Sequence, residues 1–275
     1  QTYSPQLYQQ FEDNQISSDD FSSIILNDTT YQNSLTGEDL SLYNTFRQSL
    51  INKDRQTQDV LISSMIYNVI YNEIGKKDRP NPFYLNAKVE LAGNAFALFK
   101  SNPREVGVIS GETKKIFDIP YSQFVKFDVD VRKYFTFFND KHTLALRQFI
   151  GVGIPYGNSS NMPFVRSYFS GGSNDIRAWI AFGGLGPADS DVDKRVRAYM
   201  MGNVKLTTNI EYRFPINNMF EGAIFTDAGN IWSLKDTGIG DEFKFNKFVS
   251  QMGLGSGLGL RIHVAYITVR LDLAY

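Results

Sequence analysis

The sequence predicts an all-β chain, specifically a transmembrane antiparallel β-barrel. Three observations carry this: unbroken alternation over long runs, connections of alternating length, and aromatics gathered beside the short ones. The alternation is plainest at 204–214, where Val204, Leu206, Thr208, Ile210, Tyr212 and Phe214 fall on one side of an extended strand. Lys205, Thr207, Asn209, Glu211 and Arg213 fall on the other. Period two is the strand period, so one face is apolar and the other carries charge. The pattern recurs at Val125/Phe127/Val129/Val131 against Lys126/Asp128/Asp130/Arg132, and at Ala265/Ile267/Val269/Leu271/Leu273 against Tyr266/Thr268/Arg270/Asp272. A soluble sandwich alternates too, so strand length, connections and aromatics must decide which face meets water.

Taken in order, residues 1–58 form a polar region rich in Gln, Asn, Ser and Asp. It holds one candidate helix at 38–52, where Leu40, Leu42, Tyr43 and Phe46 share a face. Residues 59–275 read as the barrel segment. It has eight strands, near 59–73, 82–99, 123–138, 142–155, 196–214, 220–232, 251–263 and 265–275. Many of these runs are ten or more residues long, well above the five or six usual in globular strands and enough for a tilted strand to cross a bilayer. Short connections fall at 75–81, 139–141, 217–219 and near Val264, and long ones at 100–122, 157–195 and 233–250. Short turns on one rim and long loops on the other are the habit of outer-membrane barrels. Phe83, Tyr84, Tyr134, Phe135, Phe137, Phe138, Phe214 and Phe220 sit beside the short turns, where an interfacial girdle belongs.

Composition bounds the chemistry. A net charge of -1 and pI of about 6.2 give no nucleic-acid footprint. The absence of cysteine excludes disulfides, thiolate metal sites and a cysteine nucleophile. No apolar run approaches a transmembrane helix, and a mean hydropathy of -0.27 suits a barrel whose inward residues dilute the apolar ones. Gln1 is no start residue and no leader follows it, which reads as a mature product or a fragment. The strand count points the same way. Eight strands that begin and end on the long-loop side predict further strands outside 1–275, so the wall is expected to be incomplete.

Within the longest loop, about 157–195, lies the run Arg166-Ser167-Tyr168-Phe169-Ser170-Gly171-Gly172-Ser173-Asn174-Asp175-Ile176-Arg177-Ala178-Trp179. It resembles the signature loop of the BamA/TamA outer-membrane assembly superfamily, in which an aromatic–small–Gly–Gly run leads into a Val-Arg-Gly-Phe-like tetrad. Here the tetrad reads Ile176-Arg177-Ala178-Trp179, with Ala for Gly and Trp for Phe. Three stretches resembling later strands of the family follow in order, at 209–216, 225–232 and 253–261, and Val269-Arg270-Leu271-Asp272-Leu273 resembles the penultimate strand. The tetrad with Leu185-Gly186-Pro187 is closest to a TamA/TamL-like branch. The resemblance covers about 164–275. It implies the C-terminal part of a sixteen-stranded barrel, a location in the bacterial outer membrane, and a role in inserting or exporting β-barrel or other envelope proteins. It also implies partners: outer-membrane lipids, unfolded outer-membrane proteins, and periplasmic or inner-membrane assembly factors met through POTRA domains outside these residues. Neither cofactor nor enzymatic activity is implied.

The resemblance further implies that the loop folds back into the barrel, where Arg177 engages Glu211 and Asp227. A guanidinium is a planar, always-charged fork suited to two carboxylates. Glu211 lies on the polar side of its strand, and an acid at Asp227 avoids the cost of facing lipid only by facing the lumen. Gly171 and Gly172 would allow the tight backbone path. Other candidates point elsewhere. Asp189, Asp191 and Asp193 mimic a calcium loop, but its glycine and closing glutamate are missing, so a solvated acidic loop is expected. His142 and His263 both sit beside short turns and read as turn residues rather than catalytic bases. The glycines at 253–259 lack the lysine and helix of a phosphate loop and are expected to relieve crowding on a curved strand. A two-partner secretion exporter shares the loop and its arginine, and a passive porin is the alternative outside assembly and export.

Overall fold

The computed structural model describes residues 12–13, 29–37, 39–40, 43, 59–98, 103–105, 112–139, 141–181, 185–186, 201–234, 242–264 and 266–275. Most of the candidate helix at 38–52 and all of Asp189, Asp191 and Asp193 lie outside them. Long strands run at β1 (Ser64–Asn72), β2 (Phe83–Ala92), β6 (Phe124–Phe137) and β7 (His142–Pro155). They continue at β8 (Val204–Pro215), β9 (Phe220–Trp232), β10 (Gly253–Val264) and β11 (Ile267–Ala274). A smaller sheet of β3 (Pro103–Glu105), β4 (Glu112–Ile116) and β5 (Ile119–Pro120) lies within the connection from β2 to β6.

The eight long strands pair in one antiparallel sheet in the order β1-β2-β6-β7-β8-β9-β10-β11. Strands β1 and β11 form its edges, so among the described residues the wall is not closed. Each neighbour in the order is also the next long strand in sequence, as in an up-and-down barrel. Short hairpins at 138–141 and 216–219 join β6 to β7 and β8 to β9. The first turns through Phe138 and Asn139, both with positive φ, a backbone twist that matches a hairpin. At the β1–β2 turn, Glu73 accepts hydrogen bonds from the Tyr71 hydroxyl (2.8 Å) and the Phe83 amide (3.0 Å). Those bonds, the tyrosine's first, hold its carboxyl below the usual range.

Burial in this sheet is inverted relative to a soluble protein. Glu90 and Asp227 are 0% exposed, whereas Ile224 and Leu258, on the opposite face of neighbouring strands, are 51% and 60% exposed. Thr207, Glu211 and Arg261 are buried with the acids, and Phe127, Ile150, Ile210 and Leu271 are exposed with the apolar set. A soluble sheet would hide the second group in preference to the first. Only a nonpolar solvent around the outer face accounts for the pattern, and that solvent is lipid.

The register sorts the aromatics. Phe83, Phe135, Phe137, Tyr212, Phe214 and Phe220 share the outward parity and form the short-turn girdle. His142 joins them, its Nδ1 2.8 Å from the Tyr212 hydroxyl and its ring stacked on Phe137. Tyr84 and Tyr134 do not belong to the girdle. Tyr84 pairs with Arg132, which lies over its ring, and Tyr134 lines the inner face beside Arg132 and Arg147. Val204 also departs from expectation. It has outward parity but is buried, because residues of the β9–β10 connection fold over it.

Candidate functional site

The inner wall is built by parity. On β8, Lys205, Thr207, Asn209, Glu211 and Arg213 point inward, and pairing sets Asp227 of β9 opposite Asn209. On β10 the inward positions are Gly253, Gly255, Gly257 and Gly259, followed by Arg261 and His263 toward the short-turn end, and Gly255 stands opposite Asp227. The polar shelf of β8 and β9 therefore lies beside a strip without side chains, and residues 168–181 lie on both.

Arg177 sits at the centre. Its Nε and Nη2 donate to the two oxygens of Asp227 (2.7 and 2.8 Å), and its backbone amide donates to the same carboxylate at 3.1 Å. Nη1 donates to Glu211 at 2.7 Å and lies 3.5 Å from Asp272 of β11. The guanidinium also stacks over Phe225, 3.3 Å from the ring centroid. Its side chain is 7% exposed, Glu211's is 8% and Asp227's is 0%, so these are interior ion pairs rather than surface ones. Burial opposes the charge on Arg177, but the hydrogen bonds it donates to Asp227 and Glu211 outweigh it and raise the pKa above its ordinary value.

Around this centre the loop is held at several further points. Asp175 accepts hydrogen bonds from the Gly171 amide, the Lys205 ammonium and the Thr207 hydroxyl, each at 2.8 Å. Asn209 bridges the Asp175 carbonyl (2.7 Å) and Asp227 (2.8 Å). Arg147 and Arg270 donate to the carbonyls of Asn174 and Ser173 at 2.7 and 2.6 Å. Glu211 is shared further with Arg213 (2.6 Å) and Arg261. Nearer the start of the run, the Tyr168 hydroxyl donates to Asp128, and Lys126 donates to the Arg166 carbonyl at 2.9 Å while lying over the Tyr168 ring. Burial first, then that acceptor, pushes the Tyr168 phenol far above its usual pKa, so it stays a donor.

Glycines give the loop its path. Gly171 and Gly172 have φ of +94° and +105°, and the Gly172 amide closes the turn onto the Trp179 carbonyl at 2.7 Å. Ile176 is fully buried. A Cβ at Gly255 would lie 2.4 Å from the Ala178 methyl, and one at Gly253 would press on Leu185 and Trp179. The glycines of β10 thus make room for the loop tip, a more specific reason than strand curvature. Between the tip and the short-turn rim lies a cavity of about 400 Å³ whose lining includes Arg132, Arg147, Arg213 and Arg270.

Sequence reading singled out Arg177, Glu211 and Asp227, and the structure brings the three together. It missed Asp175, Asn209, Arg261 and Asp272. Parity along β8, β10 and β11 was the available signal for the last three. Asp175 lies in irregular chain and has no such signal.

Comparison with known proteins gives the family. The Omp85 superfamily domain matches residues 1–275. The chain belongs to the Omp85 superfamily. Its sheet is accordingly part of an outer-membrane β-barrel. Among curated proteins, the outer membrane protein assembly factor BamA of Neisseria meningitidis serogroup B (strain ATCC BAA-335 / MC58) is 30% identical over 98 residues. That match covers 34% of this chain and 12% of the relative. Among solved structures, that of BamA from Haemophilus ducreyi lacking POTRA domains 1–3 has a TM-score of 0.44 at 13% identity. It covers 78% of this chain and 55% of that one. The chain therefore spans only part of the length of these Omp85 relatives.

Proposed function

We propose that this Omp85 chain is part of the barrel of a factor that inserts or exports β-barrel or other envelope proteins, without covalent chemistry. The observation that supports it is the loop at 168–181, held against the inner wall by Arg177 on Glu211 and Asp227. A passive pore has no use for a buried ionic clasp that fills its inner face. A factor that handles chains at its wall needs a fixed internal support while its strands accept substrate by edge pairing. The neighbouring run into Leu185-Gly186-Pro187 supports a TamA/TamL-like branch over BamA itself. The substrates are unfolded outer-membrane proteins, and the partners are lipids and periplasmic or inner-membrane assembly factors.

The test is replacement of Arg177 in the full-length protein, read by assembly of reporter outer-membrane proteins in cells depleted of the wild type. Removing one partner of a buried ion pair costs about 3–5 kcal/mol. Arg177→Ala is therefore expected to unseat the loop and cut assembly strongly, while the barrel still folds. Arg177→Lys should restore only part of the activity, because an ammonium lacks the planar fork. Normal reporter assembly by a stably expressed Arg177→Ala protein contradicts the proposal.

A further inference from the structure

The connection from β9 to β10 carries a packed element that the clasp does not use. Residues 242–252 fold over the outward face of the wall at its long-loop rim, covering Val152, Val204, Leu206 and Trp232 with Phe243, Phe248 and Met252. The cap is tied down by Gln251, whose backbone carbonyl accepts from the Asn230 side-chain Nδ2 (2.6 Å) and whose side chain accepts from the Trp232 indole (2.9 Å). Trp232, which by outward parity would face the bilayer interface, is wholly buried beneath it. The cap then presents a second surface to the outside. Phe245 and Val249 are 85% and 68% exposed. Lys244 and Lys247, beside them, are exposed and form no ion pair among the described residues.

Height decides what meets that surface. From Phe220 in the girdle to Asn230 beneath the cap, β9 climbs about 25 Å along the barrel axis, at about 3.3 Å per residue and about 40° of tilt. The apolar band of an outer-membrane barrel is about 25 Å tall. The cap therefore begins where the hydrocarbon ends. Two residues beyond Met252 of the cap, the chain enters β10 at lipid-facing Leu254, 66% exposed. A rim of aromatic, aliphatic and lysine side chains at that depth suits one environment, the boundary between acyl chains and phosphate-bearing headgroups.

We infer that residues 242–252 are an interfacial anchor. Phe245 and Val249 enter the upper acyl region in place of the buried Trp232, and Lys244 and Lys247 bind the phosphates of the long-loop leaflet. The inference rests on the membrane barrel and not on what the barrel transports.

It is tested on the full-length protein with single nitroxide labels at Phe245→Cys and Val249→Cys. Leu254→Cys serves as the lipid reference and the exposed, charged turn position Lys77→Cys as the aqueous one. Reconstitution is in phosphatidylcholine vesicles with and without phosphatidylglycerol, and heat-modifiability confirms a folded barrel. Relative accessibility to oxygen and to an aqueous nickel chelate should place both cap labels between the two references. Phosphatidylglycerol should shift them toward lipid. Lys244→Gln with Lys247→Gln should abolish that shift, each lysine being worth about fivefold in local partitioning at an anionic surface. Cap labels as water-accessible as the one at Lys77 overturn the anchor. Labels in lipid that respond neither to phosphatidylglycerol nor to the lysines overturn the headgroup assignment.

Discussion

At the scale of single residues, the fit between Ala178 and Gly255 is the tightest test of how the loop tip seats. The related tetrad carries glycine where this chain has Ala178, and the added methyl points at the glycine stretch of β10, whose inward positions from 253 to 259 carry no side chain. A Cβ at Gly255 would stand 2.4 Å from it and 3.2 Å from the Trp179 ring. Gly255→Ala should therefore strain the seated loop by about 1–3 kcal/mol, as overpacking does, and raise protease cleavage within 168–181. Ala178→Gly in the same chain should restore much of the protection. Equal cleavage of wild type and Gly255→Ala would mean the tip does not rest on β10. Arg177, Glu211 and Asp227 were legible in the sequence because the arginine belongs to a tetrad whose family resemblance implies the two acids as its partners, and because Glu211 lies on the polar side of an alternating strand. The wider network was not. Asp272 and Arg261 come from strands far along the chain, and only the register places Asp272 within 3.5 Å of Arg177.

At the scale of elements, the eight long strands stand in the expected order, because period two and turn residues are local signals. The second, however, ends at Ala92 rather than near 99, where Asn94–Ala97 turn into a short helix. The first starts at Ser64 rather than 59, and the described part of the fifth starts at Val204 rather than 196. What alternation cannot convey is which outward residues another segment covers, or which aromatics line the lumen. Val204 and Trp232 are hidden by a cap made from residues nearly forty positions away from Val204, and Tyr84 and Tyr134 look inward despite standing beside short turns. Substituted cysteines along β8, in a chain that has none of its own, give a direct reading. Ile210 and Phe214 should react with a lipid-soluble reagent, and Arg213, near the cavity, with a water-soluble one. Val204 should react with neither. Strong labelling of Val204 by the lipid-soluble reagent would remove the cap from the wall. Uniform aqueous labelling of 204–214 would refute the membrane-facing surface altogether.

At the scale of the whole molecule, one wall faces two solvents and a loop turns its polar side into an interior. The outer face is apolar because lipid touches it. The inner face is charged because the loop brings groups that match it: Arg177 to two acids, Asp175 to Lys205 and Thr207, and backbone carbonyls to Arg147 and Arg270. The strand ladders do not depend on Arg177, so wall and loop should separate when it is lost. Hydrogen exchange read by mass spectrometry on the folded full-length protein tests this most directly. In the wild type the amides of Gly171, Gly172, Arg177 and Trp179, all hydrogen-bonded within the clasp, should exchange slowly. In Arg177→Ala, peptides spanning 168–181 should exchange much faster while those from β8 and β9 stay as slow as before. Unchanged exchange across 168–181 would contradict the account, since it would mean that something other than the arginine holds the loop inside the wall.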